Sequence, residues 1–142
     1  MPRRNVTNRE IADILTEIGL FHEAEGVPFK PQAYETAADM IRALDEELAS
    51  MYGRCGITCI DDLPGIGASI AEKIKELVTT GHLTSYEQLK KKYPVDLLGL
   101  TAIQNIGPKT ALALYKKLKI KTVADLERAA KAGKIATLSG FG

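Results

Sequence analysis

The sequence predicts an all-α protein of two small helical subdomains. Three observations lead there: apolar residues recur with a period of 3.6 rather than two, capping and stop signals interrupt that pattern at short intervals, and a glycine-centred bend feeding an amphipathic helix occurs more than once. The 142 residues are 45% hydrophobic and 26% charged, with 12 Gly, 6 Pro and no Trp, an ordinary globular balance at a length that suits one domain or two small ones.

Thr7 begins a capping box with Glu10, and Ile11, Ile14, Leu15 and Ile18 continue from it as one apolar stripe that extends to Phe21. Gly26 stops this helix, and Pro28 and Pro31 bracket a short connector. A second helix starts at Pro31, with Ala33, Tyr34, Ala37, Ala38, Ile41, Leu44 and Leu48 along its buried face. Residues 51–63, MYGRCGITCIDDL, carry little helical period and read as a connector. The period returns from Ile70 through Ile74 and Leu77 to Val78 and ends at Gly81. Thr84 and Ser85 with Glu87 and Gln88 offer overlapping capping boxes for a helix to about Tyr93, and Pro94 opens a short helical turn over Val95 to Leu98. Pro108 begins a helix to about Leu118, and Thr122 with Asp125 caps another that ends near Gly133. No segment alternates convincingly with period two, so no strand is expected.

The net charge of +1 hides an asymmetry. Residues 1–62 hold 6 Lys/Arg against 12 Asp/Glu, and residues 63–142 hold 13 against 6. A second half of net +7 points to a polyanion as its partner, with a solvated basic face as the alternative. The apolar runs are too short for a transmembrane helix, and the N-terminus lacks the apolar stretch of a secretory signal. Two cysteines, Cys55 and Cys59, suit a reducing compartment, so a cytoplasmic location is expected. Their spacing is a poor match for a zinc site.

The most informative feature is a repeat. LPGIG at 63–67 precedes ASIAEKIKELVTTG, IQNIG at 103–107 precedes PKTALALYKKLKI, and LSGFG stands at 138–142. Such a bend exposes backbone N–H groups that no helical carbonyl can satisfy, and the helix dipole there favours an anion such as a DNA phosphate. Gly65, Gly67, Ala68 and Ser69 in the first copy, and Asn105, Gly107, Lys109 and Thr110 in the second, are the candidate phosphate contacts. Asn105 replaces the first glycine of the second copy and tolerates a left-handed backbone better than other non-glycine residues. Ile66 and Ile106 are expected to point inward. Contacts of this kind position a protein on DNA without reading its sequence. The alternative is a purely structural turn.

This pattern resembles the helix-hairpin-helix motif of non-sequence-specific DNA-binding proteins. The resemblance implies a sodium or potassium ion held by backbone carbonyls, here those of Asp61, Leu63 and Ile66, and of Thr101, Ile103 and Ile106. Taken in order, NREIADILTEI, FKPQAYETAADMI, DLPGIGASIAEKIKELVTTGHL, IGPKTALALYKKLKIKTVADLE and LSGFG resemble the N-terminal region of bacterial and archaeal family X DNA polymerases, which are similar to polymerase beta. What this implies is a lyase-type domain with the first hairpin over residues 1–92, and a duplex-gripping subdomain over 93–142, truncated at the start of a third hairpin. A polymerase palm is expected beyond residue 142, so this chain is read as a fragment that does not itself polymerise DNA. The implied function is sequence-independent binding of gapped or nicked DNA in repair, by a monomer.

Two rival functions remain. By the same resemblance, Lys73 in IAEKIKEL occupies the place of the lysine that forms a Schiff base with a 5′-deoxyribose phosphate, with Lys30 and Tyr34 near the 5′-phosphate. Glu35, Thr36, Ser69 and Ser85 stand where that family carries cations, and His22 where it carries a glutamate, so weak or absent lyase activity is expected. The other rival is a structural or protein-binding helical module. Lys116, Lys117, Lys119 and Lys121 flank the second hairpin's helix and are read as phosphate neighbours, and the run Lys90, Lys91, Lys92 as a basic helix end.

Overall fold

Apolar residues on one long helix serve two separate cores and so set the architecture. The computed structural model describes residues 6–135, and the expected third bend at 138–142 lies outside them. α1 (Asn8–Ala24) buries Ile11, Leu15 and Ile18 in a first core, while Phe21, one turn further on, belongs to a second. The remaining helices are α2 (Lys30–Arg42), α3 (Leu48–Cys55), α4 (Ile57–Asp61), α5 (Ala68–Thr80), α6 (Thr84–Lys92), α7 (Leu97–Thr101), α8 (Pro108–Leu118) and α9 (Val123–Lys131). No strand occurs among the described residues, so the all-α expectation holds.

The first core packs α1 against α2, α3, α4 and α5 through Ile41, Leu48, Ile60, Ile74 and Leu77, all at most 1% exposed. Ala37 and Ala38 let α2 lie close to α1, and Tyr34 Cβ would come within 3.0 Å of a Cβ added at Gly19. Phe21, Leu97, Leu100 and Leu114 fill the second core, joining α1 to α7 and α8. Each such buried side chain contributes about 1.5–3 kcal/mol relative to exposure.

Caps account for where the helices begin. Thr7 Oγ accepts the Glu10 N–H at 3.1 Å, and Thr122 Oγ accepts the Asp125 N–H at 3.2 Å, as the sequence predicts. Gly26 (φ 75) and Gly81 (φ 82) end α1 and α5 in the left-handed region. Three expectations change. The second helix stops at Arg42 rather than running on to Leu48, Ala33 on it is exposed, and residues 51–63 are largely helical. The cause of the break is tertiary: Asn8 Oδ1 accepts the Leu48 N–H at 2.7 Å and its Nδ2 donates to the Glu46 carbonyl at 2.8 Å, capping α3 from 40 residues away. The overlapping capping boxes of α6 do not form, because Glu76 on α5 accepts both the N–H and the hydroxyl of Thr84, at 2.8 and 2.7 Å. The short turn placed at Val95–Leu98 is instead α7, capped by Asp96, whose Oδ1 accepts the Gly99 N–H at 3.0 Å.

Cys55 and Cys59 are paired with each other across the α3–α4 junction at Gly56, their Cα atoms 5.7 Å apart, where the sequence suggests two free thiols. Among the described residues no cluster of His, Cys, Asp or Glu is arranged to hold a metal, and no helix is long and apolar enough to cross a membrane.

Candidate nucleic-acid interface

The two bends have the same backbone, offset by 40 residues. α4 ends at Asp61 and α7 at Thr101, and each is followed by a six-residue turn into the next helix. Gly65 has φ 83 and Asn105 φ 72, so the asparagine takes the left-handed place of the glycine. Ile66 N–H donates to the Leu63 carbonyl at 3.3 Å and Ile106 N–H to the Ile103 carbonyl at 3.1 Å. Ile66 is buried in the first core, and Ile106 is half-buried against the second. The helices then open with the bonds Ala71 N–H to Gly67 O and Ala111 N–H to Gly107 O, both 2.9 Å.

Neither α5 nor α8 has a side-chain cap from its N-cap residue, a lack they share with α2, α3, α4 and α6, whereas α1, α7 and α9 have one. Their first-turn N–H groups therefore have no partner on their own helix. Gly67 and Gly107, the N-cap residues, have ordinary extended backbone (φ −83 and −90), and a Cβ built on either meets nothing within 4 Å. Gly65 has an internal reason to be glycine, its positive φ and the approach of Thr36 Cγ2 to 3.1 Å. At Gly67 and Gly107 neither crowding nor a positive φ requires glycine, and the N-cap position alone favours it over alanine. Ala68, Ser69, Asn105 and Lys109 are exposed around these bends, with Thr110 half-buried beside them.

α1, α2, α5 and α6 enclose a cleft of about 520 Å³ at the first bend. It brings together Lys30 and Tyr34 from α2, Gly65, Gly67, Ala68 and Ser69 from the hairpin, and Lys73 from α5. Lys73 Nζ lies 3.5 Å from Ser69 Oγ, and Lys30 is exposed at the rim. Tyr34, read from sequence as a DNA contact, is only 6% exposed and its ring stacks on His22 at 5.5 Å, so it is a wall of the cleft rather than a free stacking platform. Burial raises the Tyr34 pKa. His22 is the residue the sequence reading undervalued. Its Nδ1 is buried without a hydrogen-bond partner, and burial, then the Lys30 charge, lowers its pKa below 6.5, with Lys73 adding to this and Glu25 opposing. No local pattern marks it, because the cleft is assembled from four helices.

The second bend shares no cleft with the first; its contacts Asn105, Gly107, Lys109 and Thr110 stand at the start of α8. The lysines that flank its helix stand at the end away from the bend. Lys116, Lys117, Lys119 and Lys121 sit at and just beyond the far end of α8, about 12 Å or more along the helix axis from Pro108.

Residues 6–83 match the helix-hairpin-helix domain family, and residues 97–142 match the SAM-like helix-hairpin-helix tandem. The chain is similar to the DNA polymerase/3'-5' exonuclease PolX of Bacillus subtilis, 31% identical over 135 residues that cover 94% of this chain and 23% of the relative. It is similar also to DNA polymerase lambda of Arabidopsis thaliana (30% over 121 residues; 84% of this chain, 22% of the relative) and of Rattus norvegicus (26% over 108 residues; 76% and 18%). The chain thus spans less than a quarter of the length of these curated relatives.

Proposed function

This chain belongs to the helix-hairpin-helix domain family, and from that membership we propose that it grips gapped or nicked DNA by the phosphate backbone, without regard to sequence, as part of a family X DNA polymerase working in repair. One observation carries the reading. Gly67 and Gly107 are glycines for which the fold has no steric or positive-φ need, at starts of α5 and α8 that carry no side-chain cap. A phosphate arriving there accepts the free N–H groups, and the missing Cβ lets its oxygens come close. The two bends are chemically alike and contact no base, so both ends of a gap are held alike. Lys109 adds a mobile cation at the second bend, and Lys30 and Lys73 add two at the first.

A sodium or potassium ion suits the carbonyls of Asp61, Leu63 and Ile66, and those of Thr101, Ile103 and Ile106. Asp61 and Thr101 close their helices, so their carbonyls have no following helical turn to accept from. The ion would add positive charge beside the phosphate. We take the protein to act as a monomer in the cytoplasm.

The test is a titration of gapped duplex, with and without a 5′-phosphate at the gap, over a range of salt. Counterion release makes log K fall linearly with log salt, by about 0.9 per phosphate contacted. Lys109→Glu weakens every substrate alike, and Lys30→Glu weakens only the 5′-phosphorylated one. Absence of salt-dependent DNA binding would assign the bends to a protein-binding or structural module.

Lys73 supports a second reading, because its amine lines the cleft beside Ser69 and Lys30. As a lyase, the neutral amine would add to the sugar C1′ aldehyde and lose water to give a Schiff base. Loss of a C2′ proton would then expel the 3′-phosphate. Borohydride trapping on a nicked abasic duplex decides this: an adduct that disappears in Lys73→Ala supports the lyase, and no adduct removes it.

A further inference from the structure

The lysines at the far end of α8 have no role in the grip described above. Between residues 88 and 124 the chain has eight lysines and one acidic residue, Asp96. Lys90 is used internally, by Glu17 at 3.3 Å and the Val95 carbonyl at 2.7 Å, and Lys109 belongs to the second bend. Of the rest, Lys92 at the end of α6 and Lys116 in the last turn of α8 converge on one ring, Tyr93, with Nζ 5.1 and 5.4 Å from its centroid. Tyr93 is itself fixed against the fully buried Phe21 at 6.1 Å. Asp96 N–H bonds the Lys121 carbonyl at 2.8 Å, which ties the end of α8 to the start of α7. Lys119 caps α8 with φ 57 and its Nζ lies 5.4 Å from the Tyr115 ring. Lys91, Lys92, Lys116, Lys119 and Lys121 are all exposed, and among the described residues only Lys92 of these five meets a carboxylate, Glu25 at 3.7 Å. Helix dipoles account for one or two cations at such ends, not for five at and just beyond the ends of α6 and α8.

We propose that these lysines form a second surface for nucleic-acid backbone, facing away from the second bend, which takes a second duplex segment while the bends hold the first. The inference rests on the reading of the bends as phosphate sites. A duplex against the N-terminus of α8 lies beyond that end of the helix. The lysine cluster is about 12 Å or more further off at the other end, so a straight duplex in the first site leaves it open. Charge complementarity selects a polyanion, and cations held over aromatic rings suit a backbone followed without regard to sequence.

The experiment mixes donor-labelled and acceptor-labelled short duplexes with limiting protein and reads energy transfer between them. Wild-type chain brings the two duplexes together. Lys116→Gln/Lys119→Gln/Lys121→Gln abolishes the transfer, yet leaves single-duplex affinity within about threefold, because at about 0.1 M salt the cluster lies beyond a Debye length from the first site. Lys91→Gln/Lys92→Gln on α6 is the second variant, in case the triple change disturbs α8. No transfer with wild-type chain, or transfer that survives both variants, overturns the proposal and leaves the lysines as dipole partners. The grip itself fails separately: Gly67→Ala/Gly107→Ala with undiminished single-duplex binding removes that reading whatever the transfer shows.

Discussion

The carboxylate of Glu17 in α1 accepts the backbone N–H of Leu97 at the start of α7, 2.8 Å away and 80 positions along the chain. It also takes the Leu98 N–H at 3.3 Å, the Lys90 ammonium at 3.3 Å and the Tyr86 hydroxyl, and it is 1% exposed. Burial and this hydrogen bond raise the Tyr86 pKa, which keeps the phenol a donor. One buried charge thus holds the start of the second hairpin unit against the helix that runs through the first.

Glu17→Ala leaves those N–H groups without their acceptor and the Lys90 ammonium with the Val95 carbonyl alone, and a loss of about 1–3 kcal/mol is expected on urea denaturation. Glu17→Gln keeps an acceptor but loses the charge, at about 1–3 kcal/mol. Amide exchange at Leu97 and Leu98 should accelerate in both. Unchanged exchange there would show that the carboxylate does not hold α7.

Asn8→Ala removes the cap of α3 from a distance. A loss of about 1 kcal/mol is expected, with faster exchange at Leu48 and no change at Ala68 or Ser69. Loss of protection at the first bend as well would mean that α3 and the bend open as one unit.

His22 reports on the cleft. Its pKa is lowered below 6.5 in the folded chain, chiefly by burial and then by Lys30. The unfolded chain therefore takes up this proton first as pH falls, and stability declines from pH 6.5 downward through the folded value, modestly because the ring is only partly buried. A 5′-phosphate in the cleft would offset the Lys30 and Lys73 charges and raise the midpoint. Proton NMR titration with and without a 5′-phosphorylated gapped duplex reads both effects; a free midpoint at or above 6.5, or one the duplex leaves unmoved, contradicts this account of the cleft.

What the sequence made legible was local. Thr7, Thr122, Pro108 and the terminal glycines act within one turn of where they stand, so α1, α5, α8 and α9 could be read directly. The bends were legible for the same reason, since a left-handed position admits Gly65 and Asn105 and excludes most other residues. What escaped was made by distant partners. Asn8 ends the run from α2 to α3, Glu76 replaces the caps of α6, and Glu17 meets its partners only once α6 and α7 are folded onto it. Tyr34 carries two readings in the sequence, a buried-face residue of the second helix and a neighbour of the 5′-phosphate, and the fold decides for the first by setting His22 against its ring. The lysines after Tyr115 read as phosphate neighbours because they flank the bend's helix, although a helix of 11 residues separates its two ends by about 16 Å.

The most direct measurement is DNA affinity of Gly67→Ala and Gly107→Ala set beside their folding stability. Each methyl group enters open space at an ordinary φ, and the N-cap preference for glycine over alanine is partly offset by the entropy the alanine removes from the unfolded chain, so stability should fall by no more than about 1 kcal/mol. Affinity for gapped duplex should nevertheless fall by about tenfold or more, with a shallower salt dependence, because the methyl stands where the phosphate approaches. Alanine variants that fold as well as the wild type and bind DNA equally tightly would contradict the account.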